Sequence, residues 1–147
     1  MPSIEKTEII PYTQEEMYAL VNDVAHYQEF LPFCTKSRVI SQTEDEVKAT
    51  LTFARGGLVK SFTTLNRLQP HKMIEIRLVD GPFHHLEGFW QFDALSATSS
   101  RVSLDLEFEF STKLVGMMFG PFFQQVASML VDAFCKRASR VYARDAG

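Results

Sequence analysis

Few side chains in this sequence have the types and spacing that acid–base or metal chemistry requires. His84 and His85 are adjacent in a segment that alternates like a β-strand, so their side chains are predicted to point to opposite faces and cannot share a metal ion or a proton relay. Asp105, Glu107 and Glu109 alternate with apolar residues, which predicts a solubilising stripe on the solvent side of a sheet. No Ser/His/Asp set, glycine-rich phosphate loop or metal-ligand spacing occurs, so the sequence predicts neither a catalytic centre nor a metal site.

The cysteines and the charge narrow the choice of compartment and partner. Cys34 and Cys135 lack the CxxC or Cys/His spacing of a redox or zinc motif, so we expect two free thiols in a reducing compartment. The segment Met1–Lys6 has no apolar core of a secretory signal, which favours the cytoplasm. The formal net charge of −3 gives no global attraction to DNA, RNA or an anionic membrane, although a local basic patch could still bind RNA or a membrane surface.

Large apolar side chains are the unusual feature of the composition, with 13 Phe and 6 Met among 147 residues. We predict that eight apolar residues face one another between a sheet and a helix: Phe53, Phe62, Trp90, Phe108, Met118, Phe122, Met129 and Leu130. An ordinary packed core would use the same residues. A ligand cavity is the alternative, favoured because Met adapts to irregular ligands and because Gly88 removes a side chain beside Trp90.

Short alternating segments predict the strands that must position these residues. Val102–Phe110 has apolar residues at every second position, and the same period recurs in Val47–Phe53, Ile74–Leu78 and Leu86–Phe92. Turn residues separate these segments, so the chain from Cys34 to Phe110 is predicted to form about six antiparallel strands. Ile4–Ile10 alternates more weakly and is predicted to be an edge strand.

Helices are predicted at both ends of this sheet region. Thr13 and Glu16 have the spacing of a capping box, so a short helix is predicted to begin at Thr13, and a second short turn follows at His26–Phe30. A long helix is predicted from Ser111 or Thr112 to about Arg144, with a kink or break at Pro121.

The uncharged stretch Leu114–Val131 of this long helix also reaches the length of a membrane span. We interpret it as the cover of the sheet, because Gln124 and Gln125 are unfavourable in lipid and the sheet would otherwise have no apolar partner.

Several local motifs, taken together and in order, strongly resemble one branch of the START-like superfamily. They are Tyr12–Val24, Phe30–Cys34, Ser61–Thr64, Leu78–Phe83, Gly88–Phe92 and Ala133–Ala138, and the match spans about residues 3–143. The branch contains ribosome association toxins and coenzyme Q-binding proteins and is often labelled polyketide cyclase/dehydrase-like. Gln28, Phe33 and His84 depart from its usual pattern, which bears on the shape and charge of the pocket mouth.

The resemblance implies an α+β helix-grip fold. Its curved antiparallel sheet of about seven strands wraps around a long C-terminal helix, and two short helices follow the first strand. Residues 1–147 would form a single lipid-binding domain.

The resemblance also implies two different functions. The first is non-catalytic binding of an isoprenoid or polyketide-like lipid of the ubiquinone type, supporting respiratory quinone function, with no other cofactor and with peripheral contact at the inner membrane. The second is a toxin that binds the large ribosomal subunit and blocks subunit association. Candidate contacts to ribosomal RNA are Lys36, Arg38, Arg55, Lys60, Arg67 and the cluster Lys136, Arg137, Arg140 and Arg144. An aromatase or cyclase is not expected, because no acid or base can be assigned.

Overall fold

A computed structural model describes residues 2–142, in which seven strands and three helices follow one another. The elements are β1 (Ser3–Ile10), α1 (Gln14–Asn22), a short 3-10 helix (Val24–Glu29), β2 (Cys34–Gln42), β3 (Glu46–Arg55), β4 (Leu58–Gln69), β5 (Met73–Asp80), β6 (Phe83–Ala94), β7 (Ser100–Phe110) and α2 (Lys113–Val141). The α+β helix-grip fold predicted from the sequence is confirmed.

All seven strands form one antiparallel sheet in the order β1-β7-β6-β5-β4-β3-β2. β1 therefore lies at one edge, as its weak alternation predicted, and β2 lies at the other. The register aligns the apolar positions of neighbouring strands: Leu51 is opposite Phe62, Ile74 opposite Trp90, and Trp90 opposite Leu104. Because side chains alternate along each strand, this alignment gives the sheet one continuous apolar face.

The capping box at the start of α1 forms as predicted. The Thr13 hydroxyl accepts a hydrogen bond from the Glu16 backbone N–H at 3.1 Å, and the Glu16 carboxylate accepts one from the Thr13 N–H at 2.9 Å. Met17, Leu20 and Val21 of this helix are buried. Two donors that a helix start normally leaves unpaired are thereby satisfied, so α1 begins at a fixed point above the sheet.

The long helix α2 covers the apolar face of the sheet. Its N-cap is Thr112, whose hydroxyl accepts a hydrogen bond from the Val115 N–H at 3.1 Å, as predicted. Buried residues recur along it, among them Phe119, Phe123 and Phe134. The helix ends at Val141, and Arg144, where it was expected to end, lies outside the described residues.

Pro121 does not break α2, so of the predicted kink or break the break is wrong. The helix runs unbroken through Pro121. Pro121 has no N–H, so the backbone carbonyl of Met117 has no hydrogen-bond donor one turn later. Both residues are exposed, so water can bond to that carbonyl instead. Packing of Phe119 and Phe123 on the sheet holds the turns on either side of Pro121 in one helix.

By length and composition α2 could also cross a membrane, and 39% of its most apolar window is buried inside the protein. The buried side contacts the sheet, consistent with its interpretation as the cover of the sheet.

A cavity between the sheet and the C-terminal helix

An apolar cavity with a volume of about 80 Å³ lies between the sheet and α2. It is lined by Tyr27, Leu31, Leu51, Phe53, Phe62, Thr64, Asn66, Ile74, Ile76, Leu86, Trp90, Leu106, Phe123, Val126, Ala127, Leu130 and Phe134. At about 10–15 Å³ per water by this kind of measure, the space equals roughly six waters. It can therefore hold a ring-sized group, and a longer ligand would have to extend through its mouth.

Four of the eight residues predicted to line a cavity do line it. Phe53 and Phe62 stack with ring centroids 5.9 Å apart, Trp90 packs edge-on against Phe134 at 5.2 Å, and Leu130 contributes from α2. Trp90 is only 4% exposed, so its indole lies inside the protein. Their part in binding a ligand remains a prediction.

The other four residues do not line the cavity, so their predicted position is wrong. Phe108 is buried but packs on Phe123 at 4.9 Å, within an aromatic cluster beyond the cavity. Phe122 is buried against Phe33 at 5.4 Å. Met118 is 64% exposed, and Met129 lies on an outer groove of the helix.

Helix geometry explains the error on α2. Each step of four residues turns a helix by about 40° beyond a full turn. A series at 118, 122, 126, 130 and 134 therefore winds from the outer side of the helix to the inner side. Val126, Leu130 and Phe134 lie on the cavity side, whereas Met118 and Phe122 are rotated away from it.

Gly88 has a different role from the one predicted. A Cβ built on Gly88 would lie 2.1 Å from the carbonyl oxygen of Asp105 and 2.8 Å from the Cα of Leu106. The missing side chain therefore lets β6 and β7 approach closely, and it does not enlarge the cavity beside Trp90.

Three polar side chains line the cavity: Tyr27, Thr64 and Asn66. The Tyr27 hydroxyl donates to the backbone carbonyl of Val21, and burial raises the pKa of the phenol. Tyr27 is the only lining residue with a titratable side chain among the described residues. Because its proton is bonded and held more tightly than usual, Tyr27 is a poor general acid or base.

Thr64 and Asn66 line the cavity but are not among the predicted residues, which are all large and apolar. The Thr64 hydroxyl donates to Asn66 Oδ1 at 3.0 Å. Both residues share the inward face of β4 with Phe62, so the period of two starting from Phe62 could have identified them.

The histidines lie away from the cavity. A β-bulge separates Phe83 from His85, and His84 within it is exposed, so the strict alternation predicted for the pair is interrupted. His85 Nε2 lies 3.7 Å from Glu87 and 3.8 Å from Glu107 on the outer face of the sheet. These three side chains are close enough to hold a metal ion together. The cluster depends on the β6–β7 register, which local spacing in the sequence does not reveal.

Both cysteines are free thiols, as predicted, and both are buried. Burial raises the pKa of Cys34 and of Cys135 to about 11. Each thiol is therefore protonated at neutral pH and a weak nucleophile.

The fold and the cavity define a class: a helix-grip, START-like domain with an apolar pocket under its long helix. The model of the family described as polyketide cyclase/dehydrase and lipid transport matches residues 10–135, and the chain belongs to that family.

Two relatives of this chain carry names that describe different functions. The ribosome association toxin RatA of Escherichia coli (strain K12) is 44% identical over 142 residues, which cover 97% of this chain and 90% of that protein. The mitochondrial coenzyme Q-binding protein COQ10 homolog B of Xenopus laevis is 31% identical over 143 residues, covering 95% of this chain and 59% of that protein. Neither name describes an enzyme.

Solved structures share the fold at low sequence identity. The Zhui aromatase/cyclase of Streptomyces sp. R1128 superposes with a TM-score of 0.84 at 18% identity, covering 99% of this chain and 98% of that chain. A START superfamily protein of Mycobacterium smegmatis superposes with a TM-score of 0.78 at 18% identity, covering 95% of this chain and 98% of that chain. At this identity the likeness shows the fold alone.

Proposed function

We propose that this protein binds a hydrophobic ligand of the ubiquinone type in the cavity under α2, without catalysis, in support of respiratory quinone function. The observation that carries the proposal is the cavity wall: of the 17 described residues that line it, 14 are apolar and only Tyr27, whose phenol is bonded, is titratable. Burial of apolar ligand surface at about 25 cal/mol per Å² can supply the affinity. The relative named as a coenzyme Q-binding protein supports the choice of ligand class.

Trp90 gives a direct test, because it is the sole tryptophan and lines the cavity. Titration with a short-chain ubiquinone should quench its fluorescence to saturation, after correction for absorbance. Mass spectrometry of an organic extract from protein purified from a quinone-containing host should detect the natural ligand. Unchanged emission together with a ligand-free extract would overturn the proposal.

The ligand must also be collected from and delivered to a membrane, and we place the protein in the cytoplasm with peripheral contact at the inner membrane. Leu114, Met117 and Met118 follow one side of α2 and are 64%, 76% and 64% exposed. Such a stripe can enter the headgroup region of a bilayer.

A second candidate is association with the large ribosomal subunit, which would block subunit joining. It is favoured by the 44% identity to the ribosome association toxin. Lys36 and Arg38 are exposed on the edge strand β2 and make no ion pair with the described residues. By contrast, Arg137 and Lys136 are paired with Glu29 and Asp132 at 3.3 and 3.1 Å.

Three of the other predicted contacts are less available to phosphate or lie outside the described residues. Arg55 donates to Gln125 Oε1 at 2.5 Å and stacks on Phe33. Arg67 lies between Glu46 and Glu75 in the register. Arg144 lies outside the described residues. Lys60 and Arg140 also make no ion pair with the described residues, but Lys36 and Arg38 lie two residues apart on one strand and can be tested together.

The ribosome candidate is tested by co-sedimentation with purified large subunits at several salt concentrations. Binding should weaken as salt rises, and the double variant Lys36→Glu, Arg38→Glu should bind at least tenfold more weakly. Arg77→Glu, which changes an arginine already paired with Glu75, is the matched control. Absence of the parent protein from the subunit pellet at low salt would remove this candidate.

A further inference from the structure

Thr64 and Asn66 form a polar island on the inner face of the sheet. In the register Thr64 is flanked by Ala49 on β3 and by Leu78 on β5. Asn66 is likewise flanked by Val47 and Ile76. Asn66 therefore has apolar neighbours on both adjacent strands, and the one polar contact of its side chain among the described residues is with Thr64.

The hydrogen bond between the two residues uses the amide oxygen of Asn66 and leaves its amide nitrogen. The Thr64 hydroxyl gives its proton to Asn66 Oδ1 at 3.0 Å. Within residues 2–142, the only hydrogen bond of the Asn66 side chain is the one that its Oδ1 accepts, and Asn66 itself is half-buried. The amide N–H groups therefore remain available as donors at a residue that lines the cavity.

An unbonded donor in an apolar cavity selects for an acceptor. A ligand oxygen that accepts this bond gains affinity, whereas a pure hydrocarbon leaves the N–H without a partner at a cost. Among the other lining residues, the hydroxyl of Tyr27 is already bonded to Val21, whereas the indole N–H of Trp90 makes no hydrogen bond with the described residues and is the one competing donor.

We propose that Asn66 Nδ2 donates a hydrogen bond to a carbonyl oxygen of the ligand, and that Thr64 positions the amide by holding Asn66 Oδ1. This inference rests on the proposed ligand-binding function and narrows it to a carbonyl-bearing ring with its polar edge at β4. The cavity volume of about 80 Å³ suits the ring, and an apolar tail extends toward the mouth.

Two probes of the same shape test the inference: dimethylnaphthoquinone and dimethylnaphthalene, which differ in the two carbonyl groups. Isothermal titration calorimetry on the full chain measures the Kd of each. The parent should bind the quinone about tenfold more tightly, the size expected for one hydrogen bond in a buried site. In Asn66→Leu the ratio of the hydrocarbon Kd to the quinone Kd should fall to about one. The Kd for the hydrocarbon should stay unchanged, which shows that the cavity is intact.

Thr64→Val provides the second variant and separates positioning from packing. It should lower the ratio by about threefold, and Thr64→Ser, which keeps the hydroxyl, should restore it. If Asn66→Leu fails to fold, this pair alone decides the result.

The outcomes distinguish this inference from the function on which it rests. If the parent binds neither probe, the ligand-binding function fails and the inference falls with it. If the parent binds both probes equally, or if no variant changes the ratio, the cavity binds apolar rings and Asn66 is not the donor; the inference alone is then overturned.

Discussion

Leu130 and Met118 lie on the same helix but in opposite environments, and this difference predicts how each responds to a charge. Leu130→Glu would place a carboxylate in the cavity wall, where an unpaired charge is costly. We expect ubiquinone binding, followed by quenching of Trp90, to weaken at least tenfold. Met118→Glu changes a residue that is 64% exposed and is the matched control, expected to bind within about threefold of the parent. Equal loss in both variants would contradict the assignment of the cavity face.

The two thiols give a residue-level prediction on pH. Because burial raises the pKa of Cys34 and Cys135 to about 11, the thiolate fraction at pH 8 is on the order of one in a thousand. Alkylation by iodoacetamide at pH 8 should be much slower in the native protein than in urea, as followed by intact-mass spectrometry. Rapid labelling of either cysteine in the native state would contradict the burial of that thiol.

The same shift has a consequence for stability. The unfolded chain loses these protons near the ordinary thiol pKa of 9.0, whereas the folded chain keeps them until about pH 11. The unfolded state therefore binds fewer protons in this window, and the cysteines favour unfolding as the pH rises from 9 to 11. Below pH 9 their contribution is constant.

At the level of elements, the pairing of β6 with β7 depends on Gly88. A methyl group there would collide with the backbone of Asp105 and Leu106, which cannot move aside as a flexible side chain could. We expect Gly88→Ala to lower the free energy of unfolding by about 3 kcal/mol, the upper end of the usual overpacking range, in urea denaturation.

Gly57 in the β3–β4 turn supplies the control for that experiment. A Cβ at Gly57 has no atom within 4 Å, so Gly57→Ala should change the unfolding free energy by less than about 1 kcal/mol. Should Gly88→Ala be as stable as Gly57→Ala, the close approach of the two strands would have to be rejected.

At the level of the whole molecule, the sheet and α2 depend on each other. The apolar face of the sheet is buried by residues of α2 that include Phe119, Phe123, Val126 and Phe134. A chain ending at Ser111 would expose that face to water, and its loss of burial far exceeds the few kcal/mol by which a domain is stable.

We therefore predict that the chain ending at Ser111 fails to fold. Near-ultraviolet circular dichroism of Trp90 and thermal denaturation should show neither fixed tertiary structure nor a cooperative transition. A cooperative transition in this shortened chain would mean that α2 is not the structural cover and would reopen its interpretation as a membrane span.

The sequence by itself determined the elements and the architecture of this protein. Period-two alternation placed the strands, and the capping box at Thr13 and the cap at Thr112 placed the helix starts, because these signals arise between residues close in the chain. The resemblance of several ordered motifs then indicated the helix grip.

Only the tertiary structure decided which residues meet. Four of the eight predicted residues line the cavity. Three of the other four are on α2, whose rotation about its axis is set by packing against the sheet and not by spacing along the helix. The strand register likewise brings Glu107 next to His85. It also places the backbone of β7 so close to β6 that only glycine fits at position 88. Such contacts join residues far apart in the chain, and their geometry is fixed only when the whole core is packed.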